Sequence, residues 1–221
     1  NQSLKNIYLT DQFKTVSIRF DTTRTRLFPK IELFQNEKYN FSSELGGSVF
    51  RGIPGPFLTN SFKVRRLFSS LDYFDFSTRI GYEAQSGFIN TTDTRNNLEL
   101  NVAASINFPT LYLPKTIIGK LGSYYGAKTS VGVGFDFINR PEYQRTNVNL
   151  FQRYTWQKSE YSFFTFSLIN LNLLNTIYPE TATSDAFRSY LEELKNKGNN
   201  LYRSFNPSFV SSISFQYVYR D

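Results

Sequence analysis

The sequence predicts an all-β protein, an antiparallel transmembrane β-barrel with about eight strands present, and three observations predict it. The first is alternation: in Asn97 to Pro114 (NLELNVAASINFPTLYLP) every even position from Leu98 to Phe108 is apolar. Asn97, Glu99, Asn101, Ser105 and Asn107 lie between them, with only Ala103 interrupting. A side-chain period of two describes a strand with one oily and one wet face. The second is length: the alternation runs for about eleven residues, enough for a tilted membrane strand, whereas soluble strands average about 5–6. The third is composition, since 23 Phe and 15 Tyr accompany a mean hydropathy of −0.39. No apolar run approaches the roughly 18 residues of a spanning helix. Barrel strands have this character because only every second residue faces lipid.

The same composition removes several kinds of chemistry. Cys and His are both absent, so disulfides, thiolate metal sites, the usual zinc constellations and Ser-His-Asp or Cys-His nucleophiles are excluded. No cofactor, no metal and no catalytic residue is expected. The net charge is +7, but Lys and Arg are dispersed without an RNP-like or helix-turn-helix pattern, so nucleic acid is not an expected partner. Met is absent even at position 1, and no signal sequence opens the chain, which suggests a mature secreted protein or an internal fragment.

In chain order, Val16, Ile18 and Phe20, then Ile31 and Leu33, suggest a short hairpin flanking the polar Thr22 to Arg26. That length suits a soluble domain beside the barrel. Tyr39, Phe41, Leu45 and Val49 then oppose Ser42, Glu44, Gly46 and Ser48, the glycines marking a bulge, a bend or a close backbone approach. Ile53 to Phe57 (IPGPF) reads as a turn, and Leu58 to Phe68 as a strand carrying Lys63 and Arg65 on its wet face. Tyr73 to Gln85 alternates Phe74, Phe76, Ile80, Tyr82 and Ala84 with Asp75, Ser77, Arg79, Glu83 and Gln85. Ser86 to Asn97 is a polar loop. Pro109 and Pro114 end the ladder after Phe108 by removing donors.

Lys128 to Phe137 alternates again, and Ile138 to Arg145 (INRPEYQR) is a polar turn. Val148, Leu150, Tyr154 and Trp156 mark the next strand, with Phe151 on the wrong face. Phe163 to Leu174 slips register near Leu168 and Ile169, as at a bulge. Only Ser184 to Lys197 looks helical, with Phe187, Tyr190, Leu191 and Leu194 on one face, Ser184 or Asp185 as N-cap and Gly198 as stop. Its exposed Glu192 and Glu193 are not expected to be catalytic. Phe209, Ile213, Phe215, Tyr217 and Tyr219 form the last strand.

Several of these stretches resemble the outer-membrane insertases related to BamA and TamA, in their Bacteroidetes-type form. The likeness is carried by FSSELGGS (Phe41 to Ser48), KVRRLF (Lys63 to Phe68), the Asn97 to Pro114 strand, NRPEYQR (Asn139 to Arg145) and Ala186 to Tyr219. It covers roughly four fifths of the chain, and the order and spacing of these short motifs carry it. The resemblance implies that 1–38 ends a periplasmic POTRA-like domain and its junction, and that 39–221 is the N-terminal half of a sixteen-stranded barrel. The family's late V-R-G-F loop has only a misplaced lookalike at Val49-Phe50-Arg51-Gly52, and the chain ends Tyr219-Arg220-Asp221. Both departures suggest that the C-terminal half lies elsewhere.

The resemblance further implies a lateral gate, a first strand that pairs with substrate strands by β-augmentation. Its residues would be Tyr39, Phe41, Ser43, Leu45, Gly46, Gly47 and Val49. The glycine pair either eases exchange of partners or simply bends a barrel strand. Tyr73, Tyr82, Tyr112, Tyr154, Trp156, Tyr217 and Tyr219 are expected at the membrane interfaces. Lys63, Arg65, Arg79 and Glu99 are expected on the lumen side, solvated or paired. Implied partners are outer-membrane lipids, nascent outer-membrane proteins, and accessory periplasmic or surface subunits. A passive porin or substrate-specific channel is the alternative; a barrel-embedded lipase or protease lacks a nucleophile system.

Overall fold

A computed structural model describes residues 7, 10–21, 28–50, 53–68, 71–83 and 97–220. Among them ten strands build two antiparallel sheets. The smaller pairs β1 (Phe13–Asp21) with β2 (Phe28–Gln35), where the short hairpin is expected. The larger holds β3 (Tyr39–Phe50), β4 (Ile53–Arg65), β5 (Tyr73–Glu83), β6 (Asn97–Phe108), β7 (Tyr125–Asn139), β8 (Gln144–Gln157), β9 (Ser162–Ile177) and β10 (Ser208–Tyr219). Each strand pairs with the next in sequence, an up-and-down meander without crossovers. Its eight strands are 11 to 16 residues long. The sheet is open, with β3 and β10 as its edges.

Register sorts the side chains into two faces. Phe41 stands opposite Phe62, Phe62 opposite Phe76, and the row continues through Ala104, Val133, Leu150 and Leu171. The neighbouring phase of every strand carries the polar set, so the sheet has one apolar and one polar face. Among the described residues no second layer covers either face along the middle of the strands. Buried apolar residues instead gather at the two ends: Leu111, Tyr154 and Trp156 at one, Tyr143, Phe187, Leu191 and Phe205 at the other. We call the first the near end, because the β1–β2 hairpin joins there.

Arg65 fastens that hairpin. Its Nε donates to the Asp11 carbonyl at 2.7 Å and one terminal nitrogen donates to the Glu37 carbonyl at 3.1 Å. Lys63 adds an ion pair to Asp11 at 2.6 Å, and Gln12 Nε2 donates to the Leu71 carbonyl at 3.2 Å.

Several expectations need correction. IPGPF is not a turn: β4 already begins at Ile53, and its first residues pair with β3, from Ile53 opposite Phe50 to Phe57 opposite Gly46. Prolines are tolerated at the start of a strand, where the ladder begins. The strand also stops at Arg65 rather than Phe68, because Arg66 adopts a left-handed φ of 59°. The Lys128 to Phe137 strand extends at both ends to Tyr125–Asn139. The slip near Leu168 is found: the β8–β9 register shifts between Gln152 and Arg153, opposite Ile169 and Ser167. The polar stretch Thr22 to Arg26 and nearly all of Ser86 to Asn97 fall outside the described residues.

The helix α2 (Ala182–Asn196) buries Phe187 and Leu191, yet its N-cap is Thr181, whose side chain accepts from the Ser184 N–H at 3.2 Å. Gly198 follows it with φ 77°, a conformation that favours glycine. The helix α1 (Lys115–Leu121) and a 3₁₀ turn, Asn200–Phe205, escaped the sequence reading. Both are too short to display a helical period. Among the described residues no helix is long and apolar enough to cross a membrane.

Candidate functional site

An edge strand offers unpaired backbone N–H and C=O groups along one side. β3 is such a strand, twelve residues long, bonded to β4 on one side only. Its apolar side chains lie open for the same reason: Leu45 is 81% exposed, against 44% for Val133 in the middle of the sheet. Tyr39, Phe41, Ser43, Leu45, Gly47 and Val49 all occupy the apolar phase, while Gly46 belongs to the polar one. Ser43 faces Asn60, which faces Thr78, so one transverse row beside the edge is polar within an otherwise apolar face.

Of the meanings a strand glycine can carry, close approach is the one found at Gly46. The β3–β4 register runs without a shift from Tyr39 opposite Val64 to Phe50 opposite Ile53. Gly46 lies under the ring of Phe57, and a Cβ there would sit 2.4 Å from Phe57 Cζ. The Arg79 guanidinium covers that ring at 4.0 Å from its centre. The arrangement recurs across the sheet: Gly132 lies under Phe151, with a would-be Cβ 2.5 Å from its Cζ, and Arg153 lies 5.3 Å from the ring centre. This explains the phase of Phe151, an apolar residue on the polar face because a glycine opposite makes room. The signal available in sequence was a lone Phe out of phase; the facing glycine needed the register.

The polar face is knitted by side chains. Asp136 accepts from Asn101 at 3.0 Å and from Asn147 at 3.1 Å, linking β6, β7 and β8. Asn149, Asn172, Asn170 and Ser212 continue towards β10 through contacts of 3.2 to 3.4 Å. Nearer the hairpin, Asn107 donates to Asp75 at 3.1 Å and accepts from Ser130 at 2.7 Å. Lys63, Arg65, Arg79 and Glu99 all lie in this polar phase, as expected. A concavity of about 500 Å³ opens above it, lined by Thr59, Ser77, Arg79, Asn101, Asp136 and Asn147 among others. Among the described residues no group of three acidic, His or Cys side chains could hold a metal ion.

The expected interface aromatics divide by place. Tyr112, Tyr217 and Tyr219 are exposed near the hairpin end, and Tyr82 is exposed towards the opposite end. Tyr154 and Trp156 are buried at the near end under the segment 109–124, Trp156 stacked on Phe164 at 5.4 Å. Tyr73 is on the polar face instead, with Lys63 and Lys128 over its ring at 4.9 and 5.1 Å. Phe68, Phe108, Tyr112, Tyr154, Phe166, Trp156, Phe164, Phe215 and Tyr217 supply a series of ring contacts along the near end. No family model, no curated protein and no solved structure matches the chain.

Proposed function

We propose that the chain is part of an outer-membrane assembly factor, the N-terminal half of its barrel, which templates nascent substrate strands on β3. The observation that carries this reading is the long free edge of β3, with its alternating apolar side chains open beside it. An incoming strand can complete the ladder by β-augmentation, its backbone bonds supplying affinity and alternate side chains supplying register. The drive is steep in hydrocarbon, where an unsatisfied backbone group costs several kcal/mol. On this reading the apolar face meets lipid, the polar face lines the lumen, and 1–38 is the end of a POTRA-like domain. Accessory subunits would meet the hairpin or the far-end segment. The reaction involves no covalent chemistry and no cofactor.

The test is a disulfide tether. Cysteines placed in Tyr39 to Val49 and in the strand that closes the natural barrel should block assembly of other outer-membrane proteins until reduced. Normal assembly by the fully tethered protein would exclude β3 as the gate. A second reading, a porin or substrate-specific channel, is favoured by the hydrogen-bonded polar face and its concavity. It predicts steady single-channel conductance in planar bilayers and no effect of the tether on assembly.

A further inference from the structure

At the near end a second cavity of about 560 Å³ opens between the approach to the hairpin and the sheet. This is within the range of small-molecule sites, and it has their composition, mainly apolar walls with a few polar groups. Ile7, Phe13, Leu71, Phe108, Leu111 and Tyr124 supply apolar wall, while Lys128, Thr155 and Gln157 contribute polar side chains from the polar face.

Two of those polar groups lack partners. Among the described residues the Lys128 ammonium makes no hydrogen bond or ion pair; its contact is the Tyr73 ring at 5.1 Å. The buried Gln157 Oε1 has no donor. The neighbouring cations are occupied: Lys63 lies 2.6 Å from Asp11 and 3.6 Å from Asp75, and Arg65 also engages Asp11. A half-buried ammonium that no carboxylate among the described residues contacts, with Asp75 and Asp11 acting on it only from beyond ion-pair distance, can take an anion that brings its own apolar body into the cavity.

We propose that this cavity binds a single-chain fatty carboxylate, with its head on Lys128 and its chain along the Phe108, Leu111 and Tyr124 wall. One unpaired cation matches one negative charge, and an unbranched chain matches a single apolar chamber. The proposal is independent of the assembly reading, because it uses only the cavity and its cation.

Trp156 reports on the site. It is the sole Trp of these 221 residues, and it packs in a cluster that includes Leu111, Tyr124 and Ala127, all of which also line the cavity. The natural protein, with any Trp beyond these residues replaced by Phe, would be reconstituted in phosphatidylcholine nanodiscs and titrated with terminally brominated dodecanoate, using brominated dodecanol as the uncharged control. Quenching by the carboxylate should saturate at concentrations at least tenfold below those needed for the alcohol. Lys128→Gln should abolish that difference while leaving alcohol quenching intact, and Lys128→Arg should keep it. Equal, non-saturating quenching by both compounds, or a preference that survives Lys128→Gln, overturns the proposal. Should Lys128→Gln also lose alcohol quenching through misfolding, Lys128→Arg decides: a retained preference supports the site, and a lost one removes it.

Discussion

A methyl group is the smallest probe of the two glycine sockets. At Gly46 the nearest atoms to the added Cβ are those at the tip of the Phe57 ring, which Arg79 covers. At Gly132 it meets the Phe151 ring and also the Ala104 carbonyl oxygen at 2.9 Å, part of the β6 backbone. A ring can swing away; a paired backbone cannot. Gly46→Ala should therefore cost about 1–3 kcal/mol, with Gly132→Ala costing more, as overpacking in close contact does. Gly47→Ala is the control, since its nearest neighbour is 4.0 Å away, and should stay within about 0.5 kcal/mol. Urea unfolding of the detergent-folded protein reads all three. A Gly46→Ala/Phe57→Ala pair should fall well short of additivity, because the first change matters only while the ring is there.

At the scale of elements, the far-end segment is a small folded unit of its own. Tyr143 from the β7–β8 connection packs on Phe187 of α2 and on Phe205 of the 3₁₀ turn, with ring centres 5.7 and 5.1 Å apart. Removing the α2 cap with Thr181→Ala should cost about 1 kcal/mol, visible as faster proteolysis within 178–207. Burial raises the Tyr143 hydroxyl above the usual phenol range, more than Arg140 and Arg145 lower it. Burial raises Tyr178 as well. A phenol whose folded pKa is raised stabilises fully below its unfolded value of about 10, and that stability is lost as pH rises through the folded value. Protease sensitivity of 178–207 should accordingly climb above about pH 10. Tyr143→Phe should lessen the climb and Tyr143→Phe/Tyr178→Phe should flatten it; an unchanged profile would refute the linkage. The hydrogen bond between Glu193 and Lys197 holds the Glu193 carboxyl below its ordinary range and raises the Lys197 ammonium, but both are fully exposed and belong to the solvated side of α2.

For the whole molecule, the decisive fact is the open ladder. Roughly half the residues of an edge strand point their N–H and C=O groups outwards, so β3 alone leaves on the order of a dozen backbone groups unpaired. In hydrocarbon, at several kcal/mol each, that exceeds the 5–15 kcal/mol stability of a typical folded domain. A membrane-embedded form of this sheet therefore has further strands against its edges. The natural protein should show heat-modifiable gel mobility, the folded form migrating differently from the boiled one. Identical migration before and after boiling would count against a membrane barrel.

Much of the architecture was legible locally. A period of two is a property of the chain itself, so Leu98 to Phe108 declared a strand with an apolar face, and the slip at Leu168 declared its bulge. Phe187 and Leu191, four residues apart, likewise declared the buried side of α2. What depended on neighbours was not legible. IPGPF carries turn residues, yet pairing with β3 draws it into the ladder, because ladder bonds made by its other residues outweigh local turn preference at the start of a strand. Phe57 and Phe151 make sense only above Gly46 and Gly132, residues 11 and 19 positions away in sequence. Arg65 reads as a lumen charge until Asp11 and Glu37 are brought to it. The sequence by itself determined which faces are oily and which wet, since alternation needs no partner. Only the tertiary structure decided which strands stand at the edges and which cations stay unpaired, since both depend on what lies alongside.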